Sequence, residues 1–99
     1  MDFNTNNFEE DVIKKSFDIP VLVDFWAEWC GPCRALSPVL EKLAKEFQTS
    51  WHLVKINSDG HPELAEKYGI RSIPNVKLFS GGKVVNEFVG ALPESKIRD

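Results

Sequence analysis

The chain has 99 residues, with 12 lysine or arginine and 15 aspartate or glutamate side chains, so its formal net charge is −3. This length suits one domain with a single modest core, which we expect over residues 1–99. The slight acidity and the scattered basic residues disfavour nucleic-acid binding through a basic patch. No apolar run approaches the length that crosses a membrane, so we expect no membrane association through a spanning segment.

The first part of the chain predicts an edge strand, a helix and a central strand. Met1–Phe3 favours at most a short edge strand. Asn7–Ser16 carries one apolar face, which Phe17 continues and which is typical of a helix, and Asn6 followed by Glu9 is the expected capping pair. Val21–Trp26 is apolar almost throughout, as expected of a central strand that is covered on both faces.

The rest of the chain predicts two more helices and a hairpin before a final helix. Apolar residues at i, i+3, i+4 and i+7 predict a helix over Cys33–Phe47, bent at Pro38. Trp51–Asn57 is typical of a strand, and Pro62–Gly69 is typical of a short helix that begins with proline and ends before glycine. The remaining elements are a hairpin with a glycine turn and the start of a last helix, at Val76–Ser80, Val84–Val89 and Pro93–Asp99. This order of elements predicts an α/β fold with a central mixed sheet and helices on both faces.

The only two cysteines, Cys30 and Cys33, lie three positions apart where a strand and a tight turn lead into a helix. Residues at this spacing on a first helical turn have Cβ atoms about 5–6 Å apart, which is within reach of a disulfide after a small adjustment. Gly31 permits the tight turn, and Pro32 suits a first turn because its missing N–H is not needed there. Cys30 then faces the free N–H groups of the helix, which stabilise a thiolate, so we expect Cys30 to attack and Cys33 to resolve.

Other interpretations of the cysteine pair are a structural disulfide, inert thiols or a zinc site. Zinc needs about four ligands, and only His52 and His61 could add nitrogen ligands. Neither histidine has ligand spacing to the pair, so we expect no metal. A close pair is also unlike the dispersed cysteines of a small secreted domain, and the amino terminus does not resemble a secretory signal, so the expected location is the cytoplasm.

Asp24 is the one carboxylate within the apolar strand. If it were buried, ionised and unpaired, it would destabilise the fold by several kcal/mol. Either it bends to solvent at the strand end, or it is a carboxyl of raised pKa that accepts the proton of Cys33 during the resolving step. Lys55, on the neighbouring strand, is its expected charge partner.

The segment Trp29-Cys30-Gly31-Pro32-Cys33, with residues 21–28 before it, resembles the active site of the thioredoxin family. Residues 55–59, 68–74 and 89–91 resemble later landmarks of that family in the right order and at the right distances. The resemblance covers nearly the whole chain and implies the thioredoxin fold, here with an abbreviated first strand and a clipped last helix. It departs from the usual family pattern at Ser58, Ser72 and Asn75.

The resemblance also implies an activity. Members of the family are dithiol–disulfide oxidoreductases that reduce protein disulfides, carry no bound cofactor beyond the redox-active disulfide, here Cys30–Cys33, and are re-reduced by an NADPH-dependent thioredoxin reductase. Gly-Pro between the cysteines is similar to the reducing members, and we expect a monomer. The rival hypothesis, motivated by the short first strand and the early end of the last helix, is a binding or co-chaperone module, or the N-terminal domain of a larger protein.

The resemblance further implies several site residues. It favours Asp24 as the proton acceptor and implies a cis peptide bond before Pro74. The main chain of Ile73 is expected to pair with an extended substrate, by addition of a short β-strand. The implied flat groove around the cysteines consists of Trp29, Gly31, Pro32, Ile73, Pro74, Gly90 and Ala91.

Overall fold

The computed structural model describes residues 3–90. The predicted last helix Pro93–Asp99 lies outside the described residues, as do Met1, Asp2 and the predicted groove residue Ala91. None of the helices within residues 3–90 is both long and apolar enough to cross a membrane.

Four strands form one mixed sheet: β1 at Val21–Trp26, β2 at His52–Asn57, β3 at Asn75–Ser80 and β4 at Lys83–Val89. Their order across the sheet is β2-β1-β3-β4. β1 is parallel to β2 and antiparallel to β3, and β3 is antiparallel to β4. The parallel pair needs a crossover connection, which contains helix α1 at Gly31–Glu46. A short helix α2, at Pro62–Lys67, precedes β3.

β1 is buried on both faces, as its apolar sequence predicts. Val23 and Phe25 pack with Val12 of the first helical segment on one face. Leu22 packs on the opposite face against Leu36 and Leu40 of α1. Because strand side chains alternate between faces, Asp24 shares the face of Leu22, beneath α1. The α/β architecture expected from the sequence is confirmed.

The first helical segment differs from the regular helix predicted over Asn7–Ser16. It is a π-helical stretch at Glu9–Lys14 followed by a 3₁₀ turn at Lys15–Phe17. The tightened last turn leaves the Phe17 side chain 69% exposed, although the apolar pattern assigned it to the buried face. The capping prediction was one residue early, since Asn7 Oδ1 accepts the N–H of Glu10 at 3.2 Å.

The first edge strand is reduced to one bridge among the described residues. Asn4 pairs with Lys55 in parallel orientation, and the Lys55 N–H donates to the Phe3 carbonyl at 2.7 Å. Phe3 itself is buried with Leu40 and Leu53 on the α1 face of the sheet. This bridge fixes the main chain of Lys55, whose side chain is part of the site described below.

Candidate active site

The cysteine pair lies at the start of α1, which begins at Gly31, two residues before the predicted start at Cys33. Cys30 is the N-cap residue, and its Sγ accepts the backbone N–H of Cys33 at 3.2 Å. The helix therefore starts at Gly31, because a side chain of the cap satisfies one of its free donors. Cys30 and Cys33 are joined by a disulfide with their Cα atoms 5.3 Å apart, a normal separation for this bond.

Burial does not distinguish the two cysteines, since Cys30 is 3% exposed and Cys33 is 2% exposed. The distinction lies in their places on the helix. The Sγ of Cys30 already receives an N–H of the first turn, and the same N–H and the helix dipole would stabilise a thiolate there after reduction. This geometry supports Cys30 as the attacking residue.

The loop before β3 lies against the disulfide. Ile73 packs on the apolar cluster formed by Ala27, Cys30 and Cys33, and the Ile73–Pro74 peptide bond is cis. The Pro74 carbonyl accepts the N–H of Gly90 at 2.8 Å. The end of β4 is thereby tied to the loop beside the cysteines, and the predicted groove residues of both segments, Ala91 aside, are brought together.

The two tryptophans of the motif differ in environment. Trp29 is 68% exposed, and its Nε1 donates to Asp59 Oδ2 at 2.9 Å. Trp26 packs against the cluster that contains Cys30 and Cys33. Its buried Nε1 has no hydrogen-bond partner among residues 3–90. Trp29 therefore presents an open aromatic surface beside the disulfide, held by a residue that follows β2.

Asp24 is fully buried, and neither of its carboxylate oxygens has a hydrogen-bond partner within the described part of the chain. Burial raises the pKa of Asp24 from 3.8 to about 7. The positive charge of Lys55 opposes that rise in the pKa, and the negative charge of Glu41 adds to it. The alternative that Asp24 bends to solvent is wrong, because the carboxyl stays inside the sheet–helix layer. A group with a pKa near 7 can both take and release a proton at neutral pH.

Lys55 lies opposite Asp24 in the parallel register of β1 and β2, as expected for neighbouring strands. Its ammonium group, however, forms an ion pair with Glu41 of α1, at 3.7 Å, and lies 5.2 Å from the centre of the Trp26 ring. Lys55 is therefore the predicted charge partner of Asp24 in that its charge lowers the pKa of Asp24, but it forms no direct ion pair with Asp24 among residues 3–90. Lys55 influences Asp24 through space, while its direct contacts are with Glu41 and Trp26.

Sequence reasoning missed two residues of this site. Asp59 holds Trp29, and Glu41 holds Lys55, yet neither was singled out for these contacts. Glu41 stands off the apolar stripe of α1, where a solvated charge is the usual interpretation. In residues 3–90 no three histidine, cysteine, aspartate or glutamate side chains cluster in a way that could hold a metal ion.

A disulfide between the N-cap and first turn of a helix, on a mixed α/β sheet, fits the class of thiol–disulfide oxidoreductases. A family model for thioredoxin matches residues 1–99. The thioredoxin of Porphyra purpurea is 50% identical over 91 residues, covering 92% of this chain and 83% of the relative. Thioredoxin 1 of a Nostoc species is 45% identical over 92 residues, covering 93% of this chain and 84% of the relative. An M-type chloroplastic thioredoxin of Chlamydomonas reinhardtii is 46% identical over 94 residues, covering 95% of this chain and 66% of the relative. The chain belongs to the thioredoxin family, which confirms the predicted fold, family and dithiol–disulfide activity.

Proposed function

We propose that this domain reduces disulfides of protein substrates and is re-reduced by an NADPH-dependent thioredoxin reductase. The observation that carries the proposal is the disulfide at the start of α1, with Cys30 Sγ accepting the N–H of Cys33. Once the pair is reduced, the helix stabilises a thiolate at Cys30.

In the first step the Cys30 thiolate attacks one sulfur of the substrate disulfide. A bond forms between Cys30 Sγ and that sulfur, the substrate S–S bond breaks, and its electron pair leaves on the other substrate sulfur. The exposed indole of Trp29 and the main chain of Ile73 form the surface on which the substrate chain docks. Contacts through the backbone accept many substrate sequences.

In the second step Cys33 loses its proton to the Asp24 carboxylate. The Cys33 thiolate attacks Cys30 Sγ, the Cys30–Cys33 bond forms, and the mixed disulfide breaks with its electron pair on the substrate sulfur. The raised pKa of Asp24 suits this role, because a carboxyl that titrates at about 7 is a stronger base than an ordinary one. The substrate leaves as a dithiol, and the domain leaves the cycle oxidised.

Re-reduction needs two electrons from outside the domain. The thioredoxin family as a whole supports a reductase as their donor, and we propose that the domain meets it as a monomer with no cofactor of its own. We also propose the cytoplasm as its compartment, because a reducing dithiol has to be kept reduced. Cell fractionation distinguishes the cytoplasm from the chloroplast, the compartment given in the name of the Chlamydomonas relative. The rival hypothesis of a binding or co-chaperone module is not favoured, since the redox pair and the family both indicate catalysis.

Trapping of the mixed disulfide tests the proposal. Cys33→Ser leaves the nucleophile but removes the resolving thiol. Incubation of the reduced variant with disulfide-bonded insulin should therefore give a covalent adduct that dithiothreitol cleaves. Cys30→Ser is the matched control and should give none. An adduct of equal yield with Cys30→Ser would contradict the assignment of the nucleophile.

A further inference from the structure

An ion pair between Lys55 and Glu41 lies close to Asp24. Lys55 Nζ lies 3.7 Å from Glu41 Oε2, with the lysine side chain 14% exposed and the glutamate side chain 35% exposed. The same ammonium group lies 5.2 Å from the centre of the Trp26 ring. Lys55 is thus held from two sides, by an anion on α1 and by an aromatic face on β1.

Without those contacts, Asp24 would be the nearby partner for Lys55. The two residues are opposite each other in the parallel register, and Asp24 has no hydrogen-bond partner among the described residues. A direct ion pair would favour the ionised carboxylate and weaken it as a base. The position of the lysine side chain therefore decides how strongly Asp24 holds a proton.

The other groups around Asp24 supply no further charge on its face of the sheet among the described residues. Opposite Asp24 on β3 stands Val76, which is apolar and buried. The one charged residue of β3, Lys77, lies opposite Val23 on the other face of the sheet and pairs with Glu87. On α1 the remaining titratable group that lies buried toward the sheet is the Cys33 thiol, once the disulfide is reduced.

We propose that Glu41 is a positioning residue for the resolving step: its ion pair keeps the Lys55 ammonium off Asp24, so that the ionised Asp24 carboxylate is a stronger base when it takes the Cys33 proton. This inference rests on the proposed role of Asp24 as proton acceptor. Glu41 acts in two ways with the same sign, by holding the cation and by adding its own negative charge. Loss of either lowers the pKa of Asp24.

The test measures the titration of the Asp24 carboxyl in oxidised protein, by carbon-13 NMR or difference infrared spectroscopy, where no turnover occurs. Glu41→Gln should move the titration midpoint to lower pH, by about 0.5–1 pH unit for a charge lost nearby. Glu66→Gln, which removes the same charge from an exposed position on α2, should leave the midpoint unchanged. An unchanged or higher midpoint in Glu41→Gln would overturn the proposal.

A second background separates positioning from direct repulsion. In Lys55→Met protein, Glu41→Gln should shift the midpoint less than half as far, because no cation is left to position. An equal shift in both backgrounds would mean that Glu41 acts only by its own charge, and would also overturn the proposal.

The rate of the resolving step, followed in single turnover against pH, then tests the link to the reaction. Its inflection should move with the titration of Asp24 in Glu41→Gln. If the titration moves and the rate profile does not, the proposed role of Asp24 fails, and with it the role of Glu41 in the reaction. If neither moves, the failure lies with Glu41 and leaves the role of Asp24 standing.

Discussion

The indole of Trp29 and the carboxylate of Asp59 are joined by a hydrogen bond of 2.9 Å, although 30 positions separate them in the chain. The contact connects the turn before α1 with the turn after β2. It holds the exposed indole of Trp29, which is 68% accessible to solvent, in place beside the disulfide. An exposed side chain held in one orientation binds a partner with a smaller loss of conformational entropy.

Removal of this contact should weaken substrate binding. Asp59→Ala should raise the KM for insulin about two- to fivefold, the effect of losing roughly one hydrogen bond, with kcat nearly unchanged. Hydrogen exchange of the Trp29 indole N–H, followed by NMR, should accelerate in the same variant. Asp59→Asn keeps an acceptor oxygen and should restore both values. Equal KM values for Asp59→Ala and wild type would show that the orientation of Trp29 does not matter for binding.

Asp24 makes the stability of the fold depend on pH. Its pKa is higher in the folded protein, at about 7, than the 3.8 of an exposed aspartate, so the folded state binds more protons between these values. The contribution of Asp24 to the free energy of unfolding is therefore fully present below about pH 4. It decreases as the pH rises to about 7. The shift corresponds to about 4 kcal/mol lost at alkaline pH.

Asp24→Asn removes that dependence. Relative to wild type, the variant should gain about 4 kcal/mol in free energy of unfolding between about pH 4 and about pH 8, whatever constant penalty the buried amide brings. Urea denaturation at the two pH values measures this difference, and taking it between proteins cancels the other titrating groups. A constant difference between the two proteins at both pH values would contradict a raised pKa at Asp24.

The same substitution should slow catalysis. Without a carboxylate to take the Cys33 proton, the resolving step of Asp24→Asn should fall about tenfold or more at pH 7.5, and the mixed disulfide should accumulate. In wild type the rate of this step should rise as pH passes about 7, where Asp24 ionises. Rapid acid quench followed by mass spectrometry resolves the adduct. A variant that resolves at the wild-type rate would remove Asp24 from the mechanism.

Gly90 is a place where the main chain depends on glycine. Its φ is +93°, and its N–H donates to the Pro74 carbonyl at 2.8 Å. A Cβ there would meet no atom of residues 3–90 within 4 Å, so we attribute the expected effect of Gly90→Ala to the backbone conformation. We expect a loss of about 1–2 kcal/mol in free energy of unfolding, together with a raised KM because the loop beside Cys30 is disturbed. Gly31→Ala, at a position with open space and no positive φ, is the stability control and should cost less in urea denaturation.

The sequence predicted some elements far better than others. The limits of β1 match the predicted Val21–Trp26, because a strand buried on both faces leaves a continuous apolar run that needs no tertiary information. The first helical segment was predicted less well. Its apolar spacing does not distinguish a regular helix from a π-helical stretch closed by a 3₁₀ turn, and that difference turned Phe17 to solvent.

In the site, too, local features were predicted from the sequence and long-range contacts were not. The cysteine pair and its place at a helix start follow from local spacing. Whether Lys55 pairs with Asp24 or with Glu41 depends instead on how α1 lies across the sheet. That placement brings Glu41 to the Lys55 ammonium group. The Trp29–Asp59 contact likewise joins two turns that only the fold brings together. Long-range polar contacts of this kind leave no periodic trace in the sequence.

The most direct test of the central claim is the turnover of insulin disulfides with dithiothreitol as the electron source. Wild type should accelerate precipitation of the reduced insulin chains well above the rate with dithiothreitol alone, and Cys30→Ser should return that rate to the background. Circular dichroism confirms that both proteins are folded. A folded wild-type protein with no acceleration, or a Cys30→Ser protein as fast as wild type, would contradict a disulfide reductase that acts through Cys30.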